Sequence, residues 1–497
     1  MRLKVRNKII ELVPTIIEGI NFIQNSDDDT AIKVLDDCRD AVISIFNTLD
    51  GTLSEEKIFF YADIISPIIE IINEMKDSIE DRQKVKSLMV EIEILLNNLK
   101  HKLHNESEVK LEIVFLPYKA SMWDSMESIW RAAKDDPRCN CYVVPIPYYV
   151  NTENNVSSAS ILEYEGENFN NDVQIIHYNK YDISVEKPDI IYIHNPYDNI
   201  NTLTQVPERF FSRNLKQHTN MLVYSPYYVS LAYNKVLDKN YLYKAPGVFN
   251  SDKVISQSFE ISELFYKILN KDSKVLTYGS PKIDSVIYNM QKKDICIPDE
   301  WIRKTEGKKV FLLNTKIFQF NMEGQNTVKD LLDLIYSIIK DPNCVLIWRP
   351  HPLARSGIKK YYPKMYDEYL KLEESFKKME NCIYDDLPTY TQSFCLSDTL
   401  ISGWSSMVAN YIVTKKPIYL LGLYGENSDY KYIIDNSAFY MNIQGTSINE
   451  FRDMIIDGKD IKYEKRIKIL QNTFPNLEGN AGVKIHKHLC DNLINSI

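Results

Sequence analysis

Residues 309–352 read KVFLLNTKIFQFNMEGQNTVKDLLDLIYSIIKDPNCVLIWRPHP. Lys309–Asn314 is a short apolar run that ends in polar residues, the mark of a strand buried on both faces. Thr327–Lys340 places Val328, Leu331, Ile335 and Ile338 three and four apart, which is the helical period. Cys344–Arg349 is a second apolar run, leading into a turn stiffened by Pro350 and Pro352. Strand, helix and strand in this order predict a parallel βαβ unit, and so an α/β fold.

The same rhythm extends in both directions. Downstream, the pattern predicts a helix near Lys364–Met379, strands at Asn381–Tyr384 and Asp398–Ser402, a helix at Ser405–Val413 and a strand at Pro417–Leu421. Upstream, residues 286–308 lose the pattern and read as a connection. Before them, strands are expected at Leu111–Leu116, Cys141–Ile146, Asp189–His194, Met221–Tyr224, Lys253–Ser256 and Val275–Tyr278, with an amphipathic helix at Met122–Lys134. From Asn7 to His104 only the helical period is legible, most clearly at Val85, Leu88, Ile92, Leu95 and Leu99. Breaks at Asp27–Asp29, Asp50-Gly51 and Asp77 divide this segment into a bundle of roughly four helices, the third expected to end or kink at Pro67. The expected organisation is a helical bundle over 1–108, a first α/β lobe over 109–300, a second over 306–482, and a closing helix, 483–497, packed back on the first lobe.

Composition narrows the function classes. A hydrophobic content of 44% with 26% charged residues is globular, and no apolar run is long enough to span a bilayer. The opening MRLKVRNKIIELVPTIIEGI meets Glu11 and Glu18 and has no small-residue cleavage site, so it reads as a helix rather than a signal peptide. A net charge of −9 lacks the basic footprint of a nucleic-acid binder. Residues 1–108 carry 13 Lys and Arg against 21 Asp and Glu, net −8, which leaves 46 against 47 for the remainder. The acidic bundle is therefore expected to bind a partner or a second copy of itself rather than anionic lipid. The eight cysteines are scattered, with no Cys-x-x-Cys pair, and are expected to be ordinary thiols of a cytoplasmic protein. No metal site and no cofactor are expected.

Ligands of parallel sheets sit outside the carboxyl ends of the strands. Three such ends in the second lobe are polar: Thr315-Lys316, Arg349-Pro350-His351, and Ser402-Gly403-Trp404-Ser405-Ser406 at the start of a helix. Hydroxyls, a guanidinium and an imidazole beside a helix N-terminus suit a phosphate or pyrophosphate. There is no G-x-x-x-x-G-K-[ST] and no G-x-G-x-x-G, so phosphate is not cradled by a glycine-rich loop. In the first lobe, Lys119, Trp123 and Asp124 follow the first strand and Tyr224 ends another, placing them as acceptor-binding candidates. His194 and Asp198 follow the strand Ile190–Ile193. His194 is the expected general base, with Asp198 to orient it or to serve in its place.

These residues carry a resemblance. The strand ending in Thr315, Arg349-Pro350-His351-Pro352, Ser397-Asp398-x-x-Ile401-Ser402-x-x-Ser405-Ser406 and Lys415-Lys416-Pro417-Ile418 resemble the CDP-glycerol glycerophosphotransferases of teichoic-acid synthesis. Val254-Ile255-Ser256-Gln257-Ser258 and Gly279-Ser280-Pro281-Lys282-Ile283-Asp284 resemble first-lobe segments of the same family. The likeness spans Asn250 to Gly422. It implies two Rossmann-like lobes in the GT-B arrangement and a metal-independent transferase of cell-wall biosynthesis. His351, Ser405 and Ser406 would then hold the phosphates of a CDP-linked polyol, with Thr315 and Arg349 beside them, and the acceptor would be a polyol phosphate or glycan. Location would be cytoplasmic, with a peripheral position at the inner face of the membrane as the variant. The family's Trp-His-Gly-Thr-Pro segment is here Leu222-Val223-Tyr224-Ser225-Pro226-Tyr227, with no His. Two alternatives stay open: a nucleotide-sugar glycosyltransferase of the same fold, and an inactive relative that serves as an assembly partner.

Overall fold

A computed structural model describes residues 1–150, 161–201, 204–229, 241–292, 295–315, 327–403, 405–421, 438–441 and 445–495. The chain opens with four helices: α1 (Leu3–Phe22), α2 (Asp28–Asp50), α3 (Glu55–Asp77) and α4 (Arg82–His104). Asp27 starts α2 by accepting the Thr30 amide, and Gly51 follows its last residue. α3 continues through Pro67 to Asp77, so Pro67 does not end it. Proline removes one intrahelical donor, and the flanking Ile65, Ile68, Ile71 and Ile72 are all buried, which holds the helix together. On α4, Val85, Leu88, Ile92, Leu96, Leu99 and Leu103 are buried while Leu95 is half-buried. The stripe thus follows the true 3.6-residue period rather than the 3.5 of the expected one.

Two parallel sheets follow. The first takes β1 (Leu111–Leu116), β2 (Cys139–Val143), β5 (Ile190–Ile193), β7 (Met221–Tyr224), β8 (Lys253–Ile255) and β9 (Val275–Leu276) in the order β2-β1-β5-β7-β8-β9. The second takes β10 (Lys309–Thr315), β11 (Cys344–Pro350), β12 (Cys382–Tyr384), β13 (Thr399–Ser402) and β14 (Ile418–Leu420) in the order β12-β11-β10-β13-β14. Central strands are buried on both faces, which explains their unbroken apolar runs. In β10, Val310 and Leu312 join one core while Phe311 and Leu313 join another. In β1, Leu111, Ile113 and Phe115 share a core with all four bundle helices, and Val114 and Leu116 face the opposite layer. A small antiparallel sheet of β3 (Tyr148–Val150), β4 (Ile161–Glu163) and β6 (Thr204–Gln205) was not foreseen, because strands this short show no periodicity.

The stretch expected to be a patternless connection contains helix instead. Pro281–Gln291 is helical, as is Asp299–Thr305. The first of these helices joins the lobes: Ile283 and Val286 lie in a second-lobe core, while Lys282 and Ser285 bond Asp124 of the first. Asp284 accepts the amides of Ala481 (3.1 Å) and Gly482 (2.7 Å), anchoring the start of the closing helix Ala481–Ile494. That helix packs on α5 (Glu127–Asp135), close enough at Gly482 to leave no room for a side chain against Ser128. Gly279, at φ +106°, turns the chain into the joining helix where a Cβ would lie 2.6 Å from Asn476 Cβ. Among the described residues no helix is long and apolar enough to cross a membrane.

Candidate functional site

Parallel pairing brings the carboxyl ends of β10, β11 and β13 side by side: Asn314 is in register with both Arg349 and Ser402. Asn314 joins all three ends. Its Nδ2 donates to the Arg349 carbonyl (3.0 Å), and its Oδ1 accepts from Ser402 Oγ (3.1 Å) and Ser405 Oγ (3.3 Å). Ser405 takes the N-cap position of the helix Ser406–Tyr411, yet its side chain does not cap it. The hydroxyl turns to Asn314 and Ser402 instead, so that among the described residues no N-cap side chain takes a first-turn amide. Ser406 is exposed on that first turn.

His351 is the open group on this edge. Its amide bonds the Thr315 carbonyl (2.9 Å), and its Nδ1 accepts the Leu353 amide (3.1 Å). With Nδ1 as acceptor, the neutral ring carries its proton on Nε2, where it can donate to an anion. Surrounding protein lowers the His351 pKa, which favours this neutral form. Thr315 and Arg349 are committed elsewhere. Thr315 Oγ1 accepts from Trp348 Nε1 (3.0 Å) in the core, while Arg349 pairs with Asp385 (2.8 Å) and donates to the Leu387 carbonyl (2.9 Å). They brace the edge rather than present groups to a ligand. Lys316 lies outside the described residues.

The first-lobe strand ends are closed. His194 is fully buried, its Nε2 accepting the Tyr118 amide (3.0 Å) and its Nδ1 3.2 Å from Ser125 Oγ. Burial pushes its pKa down to about 3. A general base needs a free lone pair toward the reacting hydroxyl, and here the Tyr118 amide occupies it. Asp198 does not orient the ring: both its oxygens accept from Ser212, from the amide (2.8 Å) and the hydroxyl (2.7 Å). Tyr224 is fully buried in the core of the first sheet. Trp123 packs edge-on against Phe115, Trp130 and Phe169, and is core rather than acceptor surface. Lys119 lies over the Tyr148 ring, 4.8 Å from its centre.

Asp124 differs from its neighbours. Its Oδ2 accepts from Lys282 Nζ (2.6 Å) and from the hydroxyl of Tyr390 (3.2 Å), a residue that follows β12 in the other lobe. The carboxyl edges of the two sheets therefore face each other and touch here. Its Oδ1 has no hydrogen-bond partner among the described residues. Asn314, Ser402 and Lys282 lie in stretches quoted from the sequence but are given no role there, and Tyr390 is not singled out. The available signal was a buried amide closing an otherwise apolar strand, as Asn314 does.

Comparisons with known proteins agree with this architecture. A protein described as a UDP-N-acetylglucosamine 2-epimerase from Listeria monocytogenes is similar at 10% identity and a TM-score of 0.50, over 78% of this chain and 98% of that one. The UDP-GlcNAc 2-epimerase from Neisseria meningitidis bound to UDP-GlcNAc gives 12% identity and 0.48, over 77% and 100%. The wall teichoic acid polymerase TagF gives 13% and 0.47, over 87% and 98%. At such identities the first likeness speaks for the fold alone, two Rossmann-like lobes in a GT-B-like arrangement behind a helical bundle. Among curated protein sequences none matches. The model of the CDP-Glycerol:Poly(glycerophosphate) glycerophosphotransferase family matches residues 235–485, which include the β10, β11 and β13 ends and the joining helix, and the chain belongs to that family.

Proposed function

We propose that this chain moves a glycerophosphate, or a related phospho-polyol, from a CDP-activated donor to a hydroxyl of a cell-surface polymer or glycan. The observation that carries the reading is the second-lobe edge, where Asn314 ties the strand end that leads into His351 to the one that leads into Ser405 and Ser406. The donor's pyrophosphate would take hydrogen bonds from His351 Nε2–H, the exposed Ser406 hydroxyl and the first-turn amides of Ser406–Tyr411, with the Ser405 hydroxyl turning from Asn314 to join them. Such donors, fixed in advance, stabilise charge that grows on a leaving phosphate. On the acceptor side, Asp124 replaces His194 as the group we assign to the incoming hydroxyl. It stands at the contact between the lobes, its Oδ2 held by Lys282 and Tyr390 and its Oδ1 buried there without a hydrogen-bond partner among the described residues.

The test is a thermal-shift series with CDP-glycerol, CDP-ribitol, UDP-sugars and CMP. A ligand at 100 times its dissociation constant stabilises the folded chain by about 2.7 kcal/mol. CDP-polyols are expected to raise the melting temperature most. Stabilisation by a UDP-sugar alone would assign the site to a glycosyltransferase.

A further inference from the structure

Far from the cleft, Cys139 meets two further potential ligand residues, His486 and Cys490, which follow it by 347 and 351 positions in the sequence. Cys139 begins β2, at the amino edge of the first sheet, while His486 and Cys490 lie one turn apart on the closing helix. The two sulfurs are 3.9 Å apart, and Cys490 Sγ is 3.5 Å from His486 Nδ1. Taking one ligand atom from each residue, the three lie within 4.8 Å of one another. A tetrahedral ion with metal–sulfur bonds of about 2.3 Å and metal–nitrogen bonds of about 2.0 Å would hold its sulfurs ~3.8 Å apart and sulfur from nitrogen ~3.5 Å apart. The two sulfurs, and Cys490 Sγ with His486 Nδ1, already stand near that spacing, while Cys139 Sγ lies 4.0 Å from the other ring nitrogen, Nε2.

We propose that Cys139, His486 and Cys490 form a structural site for a thiophilic divalent cation such as zinc, stapling the closing helix to the edge strand of the first sheet. Binding releases the two thiol protons, and two thiolates neutralise the ion, so that no net charge is buried. His486 Nε2 also lies 3.0 Å from Asp136 Oδ2, which suits the carboxylate that orients a ligating imidazole, leaving Nδ1 for the ion. Asp136 is itself held by Arg138 (2.8 Å), whose other nitrogen binds Asp491 of the same helix (2.9 Å). That pairing assigns Asp136 to orienting the ring rather than to the ion, with water as the fourth ligand. Parallel strands place this amino edge on the side of the sheet away from the cleft, so the ion takes no part in transfer.

The test uses the full chain, purified in reductant without chelator. Elemental analysis is expected to find about one zinc per chain. Cys139→Ser and Cys490→Ser lose it, whereas Cys141→Ser, two residues along the same strand, keeps it. Because a variant can fail to fold, wild-type protein stripped of metal is also titrated with cobalt, whose sulfur-to-metal charge-transfer absorption reports thiolate ligation directly. Stripping is expected to lower the melting temperature and re-addition of zinc to restore it. Absence of both zinc and the cobalt absorption overturns the proposal. So does a Cys139–Cys490 disulfide that accounts for both thiols in freshly isolated, unreduced protein.

Discussion

The carboxyl edges of the two sheets are built alike and finished differently. Each ends its central strands in histidine, serine and turn residues, yet His194 and Ser225 are buried while His351 and Ser406 are exposed. In the first lobe the polar groups satisfy one another: His194 takes the Tyr118 amide, Ser225 donates to the Ser125 carbonyl (2.6 Å), and Asp198 binds Ser212. In the second, one buried amide, Asn314, aligns three strand ends and leaves donors over. A polar residue after a strand therefore marks a ligand edge only when its neighbours leave it a free hydrogen-bonding group.

Replacing His351 with Ala, or Ser405 and Ser406 together with Ala, should cost the most, about 10²–10³-fold in transfer. The melting temperature without ligand should stay near wild type. Unchanged CDP-glycerol affinity in these variants would break the contrast between the edges. His194→Ala should act in the opposite way, losing about 3 kcal/mol in urea unfolding through a cavity and an orphaned Tyr118 amide, with donor affinity retained. The same residue gives a pH signature. Its folded pKa of about 3 lies below its ordinary value, so the stability it contributes is complete above pH ~6.5 and falls as acid approaches pH ~3, by up to ~1.4 kcal/mol per unit. His194→Ala should flatten that slope between pH ~6.5 and pH ~5, and a slope unchanged by the substitution would mean His194 is not the buried neutral group described. The smallest effect is expected from Thr315→Val. It should lose about 1 kcal/mol of stability from the Trp348 hydrogen bond and no affinity. A collapse of donor binding in that variant would return Thr315 to the phosphate site.

Much of the fold was legible because buried parallel strands write themselves as apolar runs. Met221–Tyr224 and Leu111–Leu116 match their observed bounds, and Lys309–Asn314 falls one residue short. The carboxyl edge of the second lobe followed from the same runs, since whatever follows a strand must lie there. Side-chain direction did not follow. Arg349 and His351 look alike as polar residues flanking a proline, yet one closes on Asp385 and the other opens to solvent. Nor could spacing show that Cys139 meets Cys490, or that Asp124 meets Tyr390, because these contacts exist only after distant elements dock.

The anchoring of the closing helix bears on how the chain reaches its fold. β1, α5 and β2 are made early, but α5 packs against a helix made more than 300 residues later, and its Ile129, Trp130 and Ala133 share one core with that helix's Ile485, Leu489 and Leu493. Arg6 of α1 also bonds the carbonyl of Ile494 (3.0 Å). The first lobe must therefore wait, incompletely covered, while the second is synthesised. Contacts of such sequence separation slow folding, and the waiting surface is open to aggregation. Asp284 sets the end of that interval: once the joining helix is in place, its carboxylate offers the arriving Ala481 and Gly482 amides a ready site. Loss of this latch should show first as poor yield of folded protein during synthesis, before any defect appears in the assembled molecule.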